Sequence, residues 1–480
     1  MASVRTAYTY NTYKSGTQVS KWRPYMIPSS DNNKDNNKAY SRSTPTLESA
    51  SKPGTHKKRN GRESNVAPIS SEEKHQSENS SSDASGEKFE DAIPTKPICD
   101  FSDFRSDLCN MTGDVRTQGY NITTVFFVPP STANYEQEWS VNAYSQKMYN
   151  YFSKSVTVKQ LRGPQNAPLC TIGQRNTPAI LLSLGGPTGN IWHDFTDVII
   201  PLFLASKPLK QDVQFLLINY QQWFVDKFSL IFKDLSRYKV INFDEDKEIR
   251  CYRNMLVGLL NHKDLGIDPK RAFDGFDMYR FKLYIRSIYS LPVDVDIPYK
   301  MDKRPEKKPR LMLVVRSKSR RFLNQEEITE VIEKIGFEVV QVEPKRSDNL
   351  TEMSKLVDSC DVLMGIHGAA LTHILFLRTN ALMLQVLPLG GEAMDFYANS
   401  CYGEPADEMR LKRIDYHITP EESSLLDKYG WDDPVIKDPN SVNSKGWSYR
   451  QKYYWNEQDV RLDVTRFEPV LVKALGIIKG

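Results

Sequence analysis

The chain has 480 residues, a formal net charge of +4 and 39% hydrophobic residues. This length leaves room for an unstructured arm and two domains, and the mild charge gives no reason to expect a nucleic-acid partner. Six cysteines are too few for a scaffold built on disulfides, and no apolar run approaches the roughly 20 residues that a membrane-spanning helix needs.

The first segment, residues 1–92, is rich in Ser, Asn, Lys and Thr, with apolar residues scattered singly. Such a composition cannot bury enough apolar surface to offset the entropy lost on folding. We therefore predict a disordered N-terminal arm.

Residues 93–295 form a predicted first domain of the α/β class, in which apolar runs alternate with helical segments. A Gly-rich turn, Gly185–Asn190, joins its first buried strand to a helix. The predicted strands are Ile180–Leu184, Phe215–Ile218 and Val240–Phe243, and the predicted helices are Trp192–Ala205, interrupted at Pro201, and Asp274–Tyr289. The turn has neither the P-loop nor the dinucleotide-binding pattern.

Four polar residues, Asn190, His193, Asp194 and Asp197, fall on one face of the helix that follows this turn. A buried helix ordinarily carries apolar residues at this spacing, so the pattern indicates a catalytic or binding site. The alternative is an Asn190 cap beside a surface His–Asp pair.

Residues 296–480 form a predicted second domain, whose start lies within a polar, proline-bearing linker at residues 292–309. Strand and helix alternate up to Pro388, as in a doubly wound parallel sheet. The strands are predicted at Leu311–Val315, Phe337–Val342, Asp361–Gly365 and Leu382–Leu387, with helices beginning near Asn324, Leu350 and Ala369. Asn324 and Glu327 can form a capping box, and Gly336 suits the helix end.

Two strand ends of this second sheet carry groups that suit a diphosphate. One strand leads into a basic loop that contains Arg316 and Arg320, and another ends at His367 and Gly368, before the helix that opens at Ala369. Ligands of such sheets bind at the carboxyl ends of the strands, where helix N-termini attract anions. The alternatives are a solvated basic loop and an ordinary strand-to-helix turn.

Two further polar residues near this edge are candidate substrate-binding groups. Asn324 follows the basic loop, and Gln385 stands in the last predicted strand, where it could face a nucleoside. Both have ordinary alternatives, as a helix cap and as a polar residue at a strand edge.

Cysteines, sequons and acidic pairs allow further expectations. Cys99 and Cys109 could pair in an oxidising compartment, and the sequons begin at Asn79, Asn110, Asn121 and Asn349, of which Asn349 could equally be a helix cap. Two Asp-x-Asp pairs, at residues 244–246 and 294–296, lie in a charged turn and at the linker. We expect no metal and no cofactor, because cationic side chains can replace a metal.

Taken in order, several segments resemble the plant members of glycosyltransferase family 61. The residues that carry the resemblance are Cys99–Cys109 with Gly113–Arg116, Gly185–Asp197, Arg316–Arg321, Cys360–Pro388, and Glu422–Leu426 with Tyr429–Gly430 and Asp433–Ile436. The resemblance extends from Cys99 to the C-terminus.

The resemblance implies a GT-B fold, with two Rossmann-like doubly wound domains facing a cleft. It also implies an inverting transferase that moves a pentose from UDP-xylose or UDP-arabinofuranose to xylan, and it allows a homo- or hetero-oligomer in a Golgi complex. Relatives are typically Golgi type II membrane proteins, which implies the Golgi lumen, although no anchor is recognisable in this sequence. GT-B tails often return to the first domain, as residues 460–475 could here.

Within this reading, His193 is the expected general base, with Asp197 or Asp194 orienting it; the rival is that one of these carboxylates is the base. Arg316, Arg320 and the His367–Gly368 turn would stabilise the departing UDP. Ala370 and His373 replace a frequent Gly and Asn and resemble the xylan-acting branch. The alternative function is a catalytically weak member that binds glycans or scaffolds a polysaccharide synthase complex.

Overall fold

The structure is a computed structural model that describes residues 98–130, 135–173, 176–294 and 308–479, together with two short strands near the N-terminus. Those strands, β1 (Thr6–Ala7) and β2 (Tyr25–Met26), pair antiparallel. Otherwise the predicted disordered arm, residues 1–92, lies outside the described residues. The remaining described residues belong to one compact unit, Lys96–Gly480. In these described ranges no helix is long and apolar enough to cross a membrane.

The first sheet of this unit has ten strands. They are β3 (Cys99–Asp100), β4 (Leu108–Gln118), β5 (Thr124–Val128), β6 (Gln137–Asn142), β7 (Ser155–Gln160), β8 (Ile172–Gly173), β9 (Ala179–Ser183), β10 (Gln214–Ile218), β11 (Ile241–Asn242) and β12 (Arg250–Val257). The order is β11-β10-β9-β12-β4-β5-β7-β6, with β3 beside β4 and β8 beside β12. The three predicted strands correspond to β9, β10 and β11.

Only part of this sheet is parallel. Strands β11, β10, β9 and β12 run parallel, whereas β4 is antiparallel to both β12 and β5. The predicted Rossmann-like arrangement therefore holds for these four strands, and an extension with antiparallel pairs widens the sheet. In β4 many side chains remain partly exposed, so the strand has no continuous apolar run to reveal it.

Two disulfides fasten the extension. Cys99 pairs with Cys109, as the sequence allowed, and Cys170 pairs with Cys251, which was not predicted.

The helices of the first half are mostly short. They are α1 (Ile191–His193), a π-helix (Asp194–Ile199), α2 (Ile200–Ser206), α3 (Gln222–Lys227), α4 (Ser229–Leu235) and α5 (Met278–Ile288), with 3₁₀ turns at Lys147–Phe152, Pro164–Asn166, Lys207–Leu209 and Phe273–Gly275. The predicted helix after the Gly-rich turn is thus confirmed, but it contains a π segment.

The second sheet is fully parallel and confirms the doubly wound prediction for this half. Its strands are β13 (Arg310–Val314), β14 (Glu338–Val342), β15 (Val362–Ile366), β16 (Leu382–Leu387) and β17 (Lys412–His417). Their order is β14-β13-β15-β16-β17. The predicted start of this domain, residue 296, falls in residues 295–307, outside the described ranges.

Helices cover both faces of the second sheet. They are α6 (Gln325–Ile335), α7 (Leu350–Asp358), α8 (Gly391–Ala398), α9 (Glu404–Glu408), α10 (Ser424–Tyr429), α11 (Pro434–Lys437), α12 (Pro439–Ser444), α13 (Trp447–Arg450) and α14 (Val464–Lys479), with 3₁₀ helices at Ala369–Phe376 and Pro420–Glu422 and π-helices at Asn399–Gly403 and Gln451–Glu457. Asn349 caps α7 through a bond from Thr351 N–H. As predicted, Gly336 ends α6 in the left-handed region.

The last helix corrects one expectation. Helix α14 packs against α6 and buries Phe467 and Leu471 in the core of the second sheet. Residues 460–475 therefore do not return to the first sheet, because their apolar face is already covered locally.

Helix α5 connects the two halves. Its Lys282 and Arg286 side chains are buried against Asp294, which also accepts hydrogen bonds from Thr379 N–H and Oγ1 at 2.9 and 2.8 Å. Arg286 also pairs with Asp358 at 2.7 Å. This ionic cluster fixes the start of the linker to the second half.

Candidate active site

A π turn shapes the helix that carries the predicted polar face. In the π turn, backbone N–H groups bond to the carbonyl five residues earlier instead of four, and Pro201 has no N–H to donate. The carbonyls of Thr196 and Asp197 therefore have no backbone partner within the helix. They accept instead from Asn261 Nδ2 at 3.1 Å and from Ser145 Oγ. Side chains from distant segments thus stabilise a π insertion, a feature that is frequent at functional sites.

Four donors converge on the Asp197 carboxylate, which is fully buried. Oδ2 accepts from Tyr144 Oη at 2.7 Å and from His193 Nδ1 at 2.8 Å, and Oδ1 accepts from Gln146 Nε2 at 3.3 Å and Asn261 Nδ2 at 3.4 Å. Burial, and then the Asp197 charge, raises the pKa of Tyr144 well above its usual value, so this hydroxyl stays protonated and donates. Asp197 is therefore fixed as an acceptor.

This arrangement fixes the tautomer of His193. Because Nδ1–H donates to Asp197, Nε2 carries the free lone pair. The His193 side chain is 13% exposed. The rings of Tyr149 and Trp192 contact it edge-on, with ring centroids 5.2 and 4.8 Å from that of the imidazole. A histidine held in this way can accept a proton at Nε2, with Asp197 stabilising the resulting imidazolium.

The other two residues of the predicted face hold the turn. Asn190 caps the helix by accepting from Trp192 N–H at 3.1 Å. Asp194 is fully buried and accepts from Gly189 N–H at 2.7 Å, and burial raises its pKa to about 7. Of the two carboxylates proposed to orient His193, only Asp197 touches it. Asp194 and Asn190 therefore have a structural role, in holding the turn and the helix start, as an alternative to their predicted roles in catalysis and substrate binding.

On the second sheet, two arginines converge above Gly368. A Cβ placed on Gly368, whose φ is +153°, would lie 2.7 Å from Arg320 Nη1 and 2.8 Å from Arg316 Nη1. Arg320 Nη1 donates to the His367 carbonyl at 2.6 Å, and Arg316 Nε donates to the Ser319 carbonyl at 3.0 Å.

Among the residues that the structure describes, no carboxylate forms an ion pair with either arginine, although the charge of Glu343 acts on Arg316. Burial lowers the pKa of Arg316, and burial followed by the charge of Arg316 lowers the pKa of Arg320 to about 9. An anion placed between them would relieve this mutual repulsion. Ala369 opens the 3₁₀ helix beside them, and the first N–H groups of a helix have no intrahelical partner. The arrangement suits a phosphate or diphosphate.

His367 is a buried neutral histidine. Burial lowers its pKa to about 3, and Nδ1 lies 2.7 Å from Gln385 Oε1. Gln385 Nε2 donates to Asp415 Oδ1 at 3.0 Å, which fixes the orientation of the amide and hence Nδ1–H on His367. Gln385, predicted to face a nucleoside, is fully buried, and its amide positions His367.

Asn324 also departs from its predicted role. Its amide donates to Leu462 O and to Glu327 Oε2, both at 2.8 Å, and its Oδ1 accepts from Leu462 N–H. Asn324 makes no capping hydrogen bond to the helix backbone. It fastens the chain that precedes α14, and the predicted capping box is not observed.

Protein groups engage the described carboxylates of both Asp-x-Asp pairs. Asp244 pairs with Lys154 at 2.8 Å, Asp246 pairs with Arg250 at 2.7 Å, and Asp294 belongs to the ionic cluster on α5. No group of three or more potential metal ligands is found within the described ranges.

The two clusters lie on elements that contact each other. Helix α1, which ends at His193, packs against the 3₁₀ helix that begins after Gly368. Behind them, the rings of Phe195 and Phe376 are 6.4 Å apart. The fold therefore brings the histidine of one sheet and the arginines of the other to the same region.

Comparison with known proteins assigns this arrangement to a family. Residues 191–384 match the family Glycosyltransferase 61. The chain is 37% identical to the beta-1,2-xylosyltransferase XYXT1 of Oryza sativa subsp. japonica over 79% of this chain and 84% of that protein. It is 32% identical to the xylan glycosyltransferase MUCI21 of Arabidopsis thaliana over 78% of each.

The chain belongs to glycosyltransferase family 61.

Other relatives are longer than this chain. The chain is 36% identical to the rice alpha-1,3-arabinosyltransferase XAT2 over 79% of its own length and spans 64% of that protein. A bacterial iron-containing glycosyltransferase, TibC from Escherichia coli, superposes with a TM-score of 0.26 at 11% identity, covering 51% of this chain and 67% of that one. A TM-score this low supports no structural argument.

The matched region contains His193, Asp197, Arg316, Arg320 and Gly368, since it begins at Ile191 and ends at Leu384. Sequence reasoning missed the residues that complete the first cluster, namely Tyr144, Gln146 and Asn261. They come from segments more than 45 positions from His193, and polar residues in loops carry no periodic signal that would connect them.

Proposed function

We propose that this chain is an inverting glycosyltransferase with a GT-B arrangement, which moves a pentose from UDP-xylose or UDP-arabinofuranose to xylan. The observation that carries the proposal is the Asp197-held His193 on a helix that packs against the 3₁₀ helix after Gly368, together with two arginines beside Gly368 that no carboxylate pairs with in the described residues. The activities of the rice and Arabidopsis relatives support a pentosyl or xylan reaction.

The reaction then takes place in one displacement. The acceptor hydroxyl attacks the anomeric carbon of the donor while His193 Nε2 takes the hydroxyl proton. The bond from the anomeric carbon to the UDP oxygen breaks, and both electrons leave with UDP. Arg316, Arg320 and the N–H groups at Ala369 stabilise the negative charge on the diphosphate. A single base and a single displacement invert the configuration at the anomeric carbon.

No metal enters this proposal. Two guanidinium groups beside Gly368 supply the positive charge that a divalent cation would otherwise bring to the diphosphate. The described aspartates of the Asp-x-Asp pairs are engaged with Lys or Arg.

We also propose a secretory location, at the lumenal face of the Golgi apparatus. Two disulfides persist best in an oxidising compartment. Two predicted sequons, Asn110 and Asn121, are exposed. Glycosidase treatment of the protein from plant cells tests this point through a shift in mass.

The decisive experiment incubates the purified chain with UDP-xylose or UDP-arabinofuranose and xylo-oligosaccharides. We expect a pentosylated product whose new bond has inverted configuration by NMR. Binding of xylo-oligosaccharides without transfer from either donor would favour the glycan-binding or scaffolding role instead.

A further inference from the structure

Two neighbouring segments of the first half expose large apolar side chains, and we call these the apolar rim: Phe101, Phe104, Met148 and Tyr151. Their exposed fractions are 41, 76, 66 and 70%. The two phenylalanines lie in the loop between β3 and β4, and the other two lie in the 3₁₀ turn Lys147–Phe152. Exposed apolar surface that gathers in one place typically marks a binding site.

One lysine joins the two segments. Lys147 Nζ donates to the carbonyls of Phe101 and Asp103 at 2.7 and 2.6 Å and pairs with Asp107 at 3.0 Å. The Lys147 N–H also donates to the Arg105 carbonyl at 2.6 Å. The apolar rim is therefore one braced surface, and its side chains stay exposed although the backbone beneath them is fixed.

The rim leads directly to the proposed base. Tyr149, two residues before Tyr151, places its ring 5.2 Å from the ring of His193. At the other end of the turn, Ser153 Oγ donates to Ser183 Oγ at 2.7 Å, which ties the turn to the end of β9. A ligand whose reacting group lies at His193 can therefore extend over Tyr151.

The charges of the rim are already paired. The Lys147 ammonium is taken up by Asp107, and Arg105 pairs with Asp264 at 2.7 Å while its guanidinium lies 5.2 Å from the centre of the Phe104 ring. A surface of this kind attracts a neutral, weakly polar ligand more than an ionic one.

We propose that the apolar rim binds the backbone of the acceptor polysaccharide, with a xylose ring on Tyr151 and the chain continuing towards Phe104. A xylopyranose ring has C–H groups on its faces, hydroxyls at its edge and no hydroxymethyl group, so it can lie flat on an aromatic ring. Tyrosine adds a hydroxyl beside that apolar face. Successive sugar units meet different side chains, so these need not be coplanar. The inference rests on the proposed function, since it takes His193 as the base and xylan as the acceptor.

The test compares a long and a short acceptor. Calorimetry gives the Kd of xylohexaose, xylobiose and UDP, and transfer assays give the KM of both acceptors, for the wild type, Tyr151→Ala, Tyr151→Phe and Tyr120→Ala. Tyr120 is a matched control, because it is 44% exposed but follows the far end of β4, whereas Asp107 beside Lys147 precedes the start of that strand.

We expect Tyr151→Ala to weaken xylohexaose binding about two- to tenfold, from the typical strength of an aromatic contact. Xylobiose, which covers less of the rim, is weakened less. Tyr151→Phe retains most of the affinity, Tyr120→Ala retains all of it, and UDP binds equally well to all four proteins. Phe104→Ala, from the other segment, gives the same dependence on acceptor length.

Three results would overturn the assignment and leave the proposed function standing. The first is a xylohexaose Kd that neither Tyr151→Ala nor Phe104→Ala changes, while the wild type transfers pentose. The second is equal weakening of xylobiose and xylohexaose, since Tyr151 would then only support Tyr149 and His193. The third is a wild-type dimer in sedimentation that Tyr151→Ala converts to a monomer with xylohexaose binding intact, which would assign the rim to a second copy of the chain.

Failure of the proposed function gives a different result. A wild type that binds xylohexaose but transfers no pentose would refute the transferase, and the Kd values of the variants would still decide whether the rim holds the glycan. A wild type that neither binds xylohexaose nor transfers pentose to it would refute both.

Discussion

The contact between His193 and Asp197 gives the sharpest prediction. Replacing His193 with Ala removes the proposed base, which typically costs about 10²–10⁴-fold in rate. This corresponds to roughly 3–5.5 kcal/mol of barrier at 1.36 kcal/mol per tenfold change. The variant should keep its affinity for UDP, because the arginines lie in the loop between β13 and α6.

Asp197→Asn tests the second half of the pair. The two short bonds, from Tyr144 and His193, should keep the amide oxygen on their side. The new NH₂ group then faces the amide donors of Gln146 and Asn261, and rotating the Asn261 amide would break its bond to Thr196 O. An unsatisfied buried donor costs about 1–3 kcal/mol. We therefore expect a lower melting temperature together with slower transfer.

The assay compares turnover, UDP affinity and melting temperature for the wild type, both variants and His417→Gln. His417 is a suitable control, since it also pairs with an aspartate, Asp395 at 3.4 Å, but at an exposed position. Near-normal turnover in His193→Ala, combined with an inactive Asp197→Asn, would show that the two roles are reversed. Near-normal turnover in both would place the reaction elsewhere.

Four other predictions concern the charged sites and the N-terminal arm. Arg320→Ala should weaken UDP binding by about 1.5–3 kcal/mol, and Gly368→Ala should do the same because its Cβ would meet both guanidinium groups. If calorimetry finds the same UDP affinity in both variants as in the wild type, the donor binds at another site. Burial raises the pKa of Asp194 from 3.8 to about 7. The stabilisation that its proton gives to the folded state is therefore complete below about pH 4 and is lost as the pH rises through 7. Asp194→Asn should flatten this fall in the free energy of unfolding, and curves of that free energy against pH that run parallel for the wild type and the variant would refute the prediction. The rate of sugar transfer should be unchanged by a chelator. Activity that the chelator abolishes and manganese restores would contradict the metal-free proposal. A chain that begins at Ile93 should keep its melting temperature, whereas a large decrease would show that the arm packs on the folded unit.

The amino-acid sequence by itself determined the local features of the site. Buried apolar runs fixed the strands of the second sheet, and the spacing of His193 and Asp197 already indicated that they could meet. Gly368 and the basic loop at the strand ends indicated where an anion could bind. Each of these signals depends on neighbours in the chain, through strand alternation, helical spacing or backbone freedom, and such rules can be read from a single sequence.

Only the tertiary structure decided which polar groups face the site and which support it. The side chains of Gln385 and Asn324 form hydrogen bonds with residues that are distant in the sequence. Tyr144 and Asn261, which belong to other segments, donate hydrogen bonds that hold Asp197 in place. A buried polar group must find a partner wherever the fold supplies one, and that partner need not lie at any fixed spacing in the sequence. For the same reason the antiparallel extension emerged only when separate segments came together.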